Sequence, residues 1–261
     1  MLHWKPIWML PLAALLLLAG GCAAPTAGPR EDSAAGVDPK AAETLKQMGD
    51  LMAGAKAMFC RVQALIDRQQ DTGQLVQFSR TTEITAVRPD RLYAKTIADD
   101  GAWAAWYDGK TLTLLARGPN TYATEQVPGR IGEMLDTMAD KYDLVMPMAD
   151  LLVPDVRESL LANVDAGFYM GIRSVGDRKC HHLLFRQENI DWQIWIDADG
   201  QPLPRKLVIT YKLEPGQPQY VATFDDWNLS PTVSAETFAF SAPAGAEAVT
   251  MPSLLGKEAG E

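Results

Sequence analysis

The chain has no basic run, no glycine loop that would cradle a phosphate and no Gly-x-Ser-x-Gly nucleophile motif. Against 33 Asp and Glu stand only 24 Lys and Arg, a net charge of −9. Nucleic acid is therefore a poor partner, because phosphate binding needs clustered cations. The missing signatures remove the common nucleotide-binding and serine-hydrolase readings. Histidine is scarce: His3, His181 and His182 are the full set. Few bases are thus at hand to activate a nucleophile. Long apolar runs are missing too. The longest, Ile7 to Leu18, is broken by Pro11 and falls short of the roughly 20 residues that cross a bilayer. Behind the single charge of Lys5, it reads as an export signal.

That signal ends in Ala19-Gly20-Gly21-Cys22, small residues leading into a cysteine. This resembles the lipobox of bacterial lipoproteins, with Leu18 one place further back than the usual leucine. The resemblance implies cleavage before Cys22 and acylation of its sulfur and new N-terminus; ordinary cleavage with a free thiol is the alternative. Two or more acyl chains, at about 0.8 kcal/mol per buried CH₂, anchor a protein without basic help. Losing residues 1–21 removes one lysine and no acid, so the mature charge is −10. Ala23 and Ala24, with no aspartate after the cysteine, point by analogy to the outer membrane, facing the periplasm. In that oxidising compartment Cys60 and Cys180 permit one disulfide, or each is a small buried hydrophobe.

Residues 22–37 are rich in Ala, Pro and Gly and read as a lipidated tether. Residues 38–243 make one domain, and 244–261, small and polar, a loose tail. Asp38-Pro39 starts a helix, with Leu45, Met48, Met52 and Ala55 on its apolar stripe, ending near Ala57. Period-two alternation then predicts strands at Met58–Ile66, Val76–Ala86, Leu92–Ile97, Trp103–Tyr107, Thr111–Ala116 and Tyr122–Val127. Asp108-Gly109 is a strong hairpin turn. The period changes to helical at Ile131–Tyr142, with short helices at Pro147–Leu152 and Val156–Val164. Strands resume at Gly167–Val175, Cys180–Arg186, Asp191–Ile196, Leu203–Tyr211, Gln219–Trp227 and Thr237–Phe240. The class is α+β: an antiparallel sheet of about ten or eleven strands, with helices gathered on one face. Trp103 and Trp106 point to opposite faces, as do Trp192 and Trp195. Either a curled sheet closes on its own core, or an open half-barrel takes an apolar ligand.

From Asp38 to about Pro243 the chain resembles a family of predicted periplasmic proteins of unknown function within the superfamily of the lipoprotein carriers LolA and LolB. The likeness lies in Asp108-Gly109-Lys110-Thr111-Leu112-Thr113-Leu114, Cys180-His181-His182-Leu183-Leu184-Phe185-Arg186-Gln187, Trp192-Gln193-Ile194-Trp195-Ile196-Asp197 and Pro202 to Tyr211. Asp226-Trp227-Asn228-Leu229-Ser230 and Phe238-Ala239-Phe240 fit the same pattern. It implies a curled, incomplete barrel with helices as a lid, and a hydrophobic ligand. No carrier residue maps onto this chain.

Met134 and Met138 fall on a helix stripe, where core packing is the default; on the half-barrel reading they, with Trp192 and Ile194, are also candidates to line a groove, since methionine adapts to varied shapes. Arg186, alternating with Leu184 and His182, either meets a carboxylate or phosphate headgroup or pairs with Asp191 or Glu188. Cys180 and His182 share a strand face while His181 points away, so no metal site is assigned. Asp197-Ala198-Asp199-Gly200 is a hairpin turn and not a calcium loop, because Val208 stands where the twelfth ligand belongs. Adjacent Asp99-Asp100 and Asp225-Asp226 diverge on strands and make poor acid–base pairs. No cofactor and no catalytic residue is assigned. The expectation is a non-enzymatic lipoprotein, bound to the membrane by acyl chains, that handles a lipid or lipoprotein. An envelope scaffold with a filled core is the alternative.

Overall fold

In the computed structural model, which describes residues 36–256, Asp38 caps α1 (Pro39–Gly54). Its Oδ1 accepts from the backbone N–H of Lys40 at 2.6 Å and Ala41 at 3.3 Å. These are donors a helix start otherwise leaves unpaired. Ala41, Leu45, Met48 and Met52 form its buried face. The helix stops at Gly54, short of Ala57, because Ala57 already opens the first long strand.

The strands are β1 (Gly36–Val37), β2 (Ala57–Gln69), β3 (Leu75–Val87), β4 (Arg91–Ala98), β5 (Gly101–Tyr107), β6 (Thr111–Ala116) and β7 (Thr121–Gln126). After α2 (Ile131–Tyr142) and α3 (Val156–Leu161) come β8 (Ala166–Val175), β9 (Arg178–Arg186), β10 (Ile190–Asp197), β11 (Pro204–Tyr211) and β12 (Gln219–Asn228). Two-residue β13 (Glu247–Ala248) and α4 (Met251–Leu254) follow. All thirteen form one unclosed sheet, ordered β1-β8-β9-β10-β11-β12-β2-β3-β4-β5-β6-β7-β13. Pairing is antiparallel throughout, except that β1 and β13 add parallel to β8 and β7 at the edges. The eleven longer strands match the sequence reading.

Laid flat, strands 4.8 Å apart would make a sheet nearly 60 Å wide, at about twelve spacings. Yet one apolar cluster joins Leu112 of β6 and Trp192 of β10 with Met134, Met138, Met251 and the buried face of α1. The sheet must therefore curl around its helices. α2, a single 3-10 turn (Ala149–Leu151) and α3 complete the cover. Gly49 permits its closeness: a Cβ there would come within 3.1 Å of the Arg157 Cβ.

Arg88 ties this cover down. Its guanidinium donates to the carbonyls of Met52 at 2.5 Å and Ala55 at 3.0 Å, at the end of α1. It also donates to Leu152 at 2.9 Å and Val153 at 2.8 Å, beyond the 3-10 turn. Helix C-termini leave carbonyls unpaired, and one planar five-donor fork satisfies two ends at once.

The paired tryptophans divide between faces as their spacing requires. Trp192 points inward and stacks on Phe185 with ring centroids 4.1 Å apart. Trp195 points outward, stacked on His182 at 4.1 Å, with the Lys206 Nζ 4.9 Å from its centroid. Trp103 packs toward the core. On the outer face Phe240 sits 5.1 Å from Trp106 and 4.9 Å from Tyr122.

Two expectations need correction, and of the two readings of the cysteine pair the structure shows the buried, unbonded one. Thr237–Phe240 is not a strand: Ala235–Phe238 is a 3-10 turn whose Phe238 is buried on the outer face. Residues 244–256 are not loose. β13 pairs with β7, and Met251 and Leu254 of α4 are buried in the main cluster. Cys60 and Cys180 form no disulfide. Cys60 faces the core from β2, whereas Cys180 faces outward from β9 beside Asp197, so the sheet itself separates them. Burial pushes the Cys60 thiol up to about 12.

Candidate functional site

The residues expected to line a groove are scattered. Met134, Met138 and Ile194 are buried in the core, at 1% exposure each, and line neither cleft described below. Arg186 lies exposed on the outer side of β9. Asp191, across from it on β10, pairs instead with Lys212 at 3.0 Å. Of the five candidates, Trp192 alone lines a cleft. Cys22 lies outside the described residues. His181 Nδ1 lies 2.8 Å from the Tyr169 hydroxyl and His182 Nε2 3.0 Å from Gln193 Oε1, so each ring has a hydrogen-bond partner on a neighbouring strand. Among the described residues no group of three His, Cys, Asp or Glu could hold a metal ion.

Among the described residues, two clefts border the core. The first lies where Trp192, Leu207, Ile209 and Tyr211 of β10 and β11 face Val145, Pro147 and Leu160 of the cover. Its volume is only about 70 Å³. Asp150 and Ser159 sit at its rim, the serine hydroxyl donating to the carboxylate. Burial raises the Asp150 carboxyl above the usual range, against the lowering effect of that hydrogen bond.

The second cleft is larger, about 440 Å³. This lies within the roughly 300–1,000 Å³ of small-molecule sites. Ala102 and Trp103 of β5, Ala116 of β6, Pro119 in the following turn, and Val249 and Leu254 give it a mostly apolar lining. Asp100, at its edge, is paired with Arg68 at 3.0 Å. α4 is held over it by local chemistry: Thr250 Oγ1 accepts from the Ser253 N–H at 3.3 Å, and Pro252 lies in the first turn. The backbone N–H of Val249 donates to the Tyr122 carbonyl at 2.8 Å, continuing the β13 pairing. Sequence reasoning missed this site because it joins turn 117–120 to residues 249–254, some 130 positions later. The available signals were the inward Trp103 and the three-residue spacing of Met251 and Leu254.

Both clefts lie toward the same end of the curled sheet. The turns at Asp99-Asp100, Arg117–Asn120, Gln187–Asn189 and Lys212–Pro218 all lie there, as the antiparallel register dictates.

Residues 41–251 match the family described as Predicted periplasmic protein (DUF2092). The chain belongs to that family. No curated protein matches it. Among solved structures it is similar to an uncharacterized conserved protein from Thermus thermophilus, at 10% identity and a TM-score of 0.48, covering 81% of this chain and 99% of that one. It is also similar to LprF from Mycobacterium bovis, at 12% identity and 0.46, covering 80% and 98%. A third is a LolA superfamily protein from Nitrosomonas europaea, at 8% and 0.37, covering 77% and 97%. At these scores the likenesses assign no ligand to this chain. Its unclosed sheet with helices on the concave face has the layout expected of the LolA-like half-barrel.

Proposed function

We propose that this family member is a non-enzymatic envelope lipoprotein that binds an apolar, lipid-like molecule. Acyl chains on Cys22 hold it at the outer membrane, and the ligand sits in the cleft beneath α4. One observation supports the reading: an open cleft of about 440 Å³ with a mostly apolar lining that includes Trp103 and Leu254. Apolar surface kept from water by a ligand is worth roughly 25 cal/mol per Å². The site therefore favours a chain or ring without charge.

The test is native mass spectrometry and lipid extraction of the purified chain, with titration of a fluorescent fatty-acid analogue. Gly118 lines the cleft, and a Cβ there would meet nothing within 4 Å, so Gly118→Phe adds a ring without a clash at its root. We expect it to weaken analogue binding at least tenfold while leaving thermal stability unchanged. An extract without lipid, and no analogue binding, would defeat the reading.

A second reading rests on a different observation. Beneath α1 and α2 the methionines Met48, Met52, Met58, Met134 and Met138 are buried in one apolar cluster. A scaffold with a filled core would show this too. It predicts a stable protein partner and an empty cleft.

A further inference from the structure

The large exposed apolar side chains are concentrated at one end of the sheet. Leu213, 72% exposed, sits in the β11–β12 turn, and Ile97, 60% exposed, near the top of β4. Leu75 and Val76 begin β3, and Leu65 pairs across to Ser79 near the end of β2. Leu75 lies against Gly216, so the β2–β3 and β11–β12 tips touch. Val145, also exposed, borders the smaller cleft at this end. Met170 and Ile172 of β8 are the exceptions. Scattered single apolar residues need no explanation, but a group on neighbouring tips marks an interaction surface.

The chain itself says what faces this surface. Gly36 pairs with Ala166, which pairs in turn with Arg186 next to the Gln187–Asn189 turn. The domain therefore joins its preceding segment at the same end as the apolar tips. Gly36 stands only fourteen positions after Cys22. Fourteen residues of random coil would span about 20 Å. An acyl anchor at Cys22 would hold this end, and not the opposite one, against the bilayer.

We infer that the hairpin tips carrying Leu213, Ile97, Leu75 and Val76 form a membrane-docking rim that lies on the lipid surface beside the cleft mouths. The turns at this end bear five acids (Asp71, Asp99, Asp100, Glu188 and Glu214) and two bases (Arg117 and Lys212). Attraction to anionic headgroups is therefore not available, and the contact is apolar. Such a rim lets an apolar ligand pass between bilayer and cleft without crossing water. The inference takes the Cys22 anchor from the preceding reading and adds a surface that the cleft does not require.

The experiment uses the chain from residue 22 onward with Cys22→Ser, so that vesicle binding comes from the folded domain alone. Co-sedimentation with zwitterionic phosphatidylcholine–phosphatidylethanolamine vesicles should show binding that is insensitive to salt and weaker on vesicles containing phosphatidylglycerol. Ile97→Asp with Leu213→Asp should lower the partition coefficient at least fivefold, and Met170→Asp should change it less than twofold. The large exposure of these positions leaves folding intact, checked by circular dichroism. No binding by the unaltered rim, or equal loss from Met170→Asp, overturns the inference. So does self-association abolished by the double variant without vesicle binding, which would assign the rim to a second copy. Uptake of the fatty-acid analogue is read separately, so either proposal can fail alone.

Discussion

Cys60 and Cys180 sit on opposite faces of the sheet, with β10, β11 and β12 between their strands. Three intervening strands, each about 4.8 Å from the next, keep their Cα atoms beyond the 5.5–6 Å separation that a disulfide favours. Both thiols should therefore stay reduced in the periplasm. Burial holds each above its ordinary value, with Asp197 adding to the effect at Cys180. We expect alkylation of both only in denaturant, and a melting temperature indifferent to reductant. Rapid labelling of either thiol in the native state would contradict the placement.

Arg88 should matter more to stability than any residue the sequence singled out. Arg88→Met removes the donors shared by the end of α1 and the cover, leaving carbonyls of Met52, Ala55, Leu152 and Val153 without that partner. Unmade buried hydrogen bonds cost about 1–3 kcal/mol per group, partly relieved by water. A loss of about 3 kcal/mol in urea unfolding is expected. Proteolysis between residues 144 and 165 should also become faster. Arg88→Lys should recover little, because one ammonium cannot serve both ends as the planar fork does.

Two aspartates should give stability–pH effects of opposite sign. Burial pushes the Asp197 carboxyl up, but the Arg205 hydrogen bond, the Asp199 N–H and the charges of Arg205 and Arg178 together hold it below its ordinary value. Its contribution is present above the unfolded value of about 3.9 and is lost as pH falls through the folded one. Asp197→Asn should therefore flatten the acid limb below about pH 4. Asp150 is raised by burial, so its folded form loses stability as pH climbs from about 4 through its own higher value. Asp150→Asn, which can still accept from Ser159, should stabilise the protein at pH 7 and do nothing at pH 3.5. Chemical denaturation at a series of pH values reads both.

Met251 is buried at the start of α4, so Met251→Ala should cost about 2–3 kcal/mol in thermal or urea unfolding. If residues 247–254 were a loose tail, the change would be within about 0.5 kcal/mol, as for ordinary surface substitutions.

What was legible in the sequence is what local chemistry decides. Asp38-Pro39 announces α1 because the cap acts within three residues. Asp108-Gly109 announces its turn because the Asp108 Oδ1 accepts from Lys110 at 2.9 Å and Thr111 at 2.8 Å, while Gly109 takes φ 85°. Alternation puts Trp192 and Trp195 on opposite faces, and the structure makes Trp192 the inward one. Alternation does not say which pairing partners compete: it leaves Arg186 either at a groove rim or paired with Asp191 or Glu188, whereas Arg186 stands exposed on the outer face and Asp191 pairs with Lys212. Phe240 read as a strand residue because its aromatic character suits one; it packs instead across strands on Trp106 and Tyr122. α4 has too few residues to show a period. The cleft it covers depends on contacts between turns far apart in the chain, which no window of sequence contains.

The most direct measurement is a crystal structure of the chain soaked with a bromine-tagged alkyl ligand. The account predicts an anomalous peak between Trp103 and Leu254, absent in Gly118→Phe. Ordered water filling that cleft while the bromine lodges elsewhere, or nowhere, would contradict it.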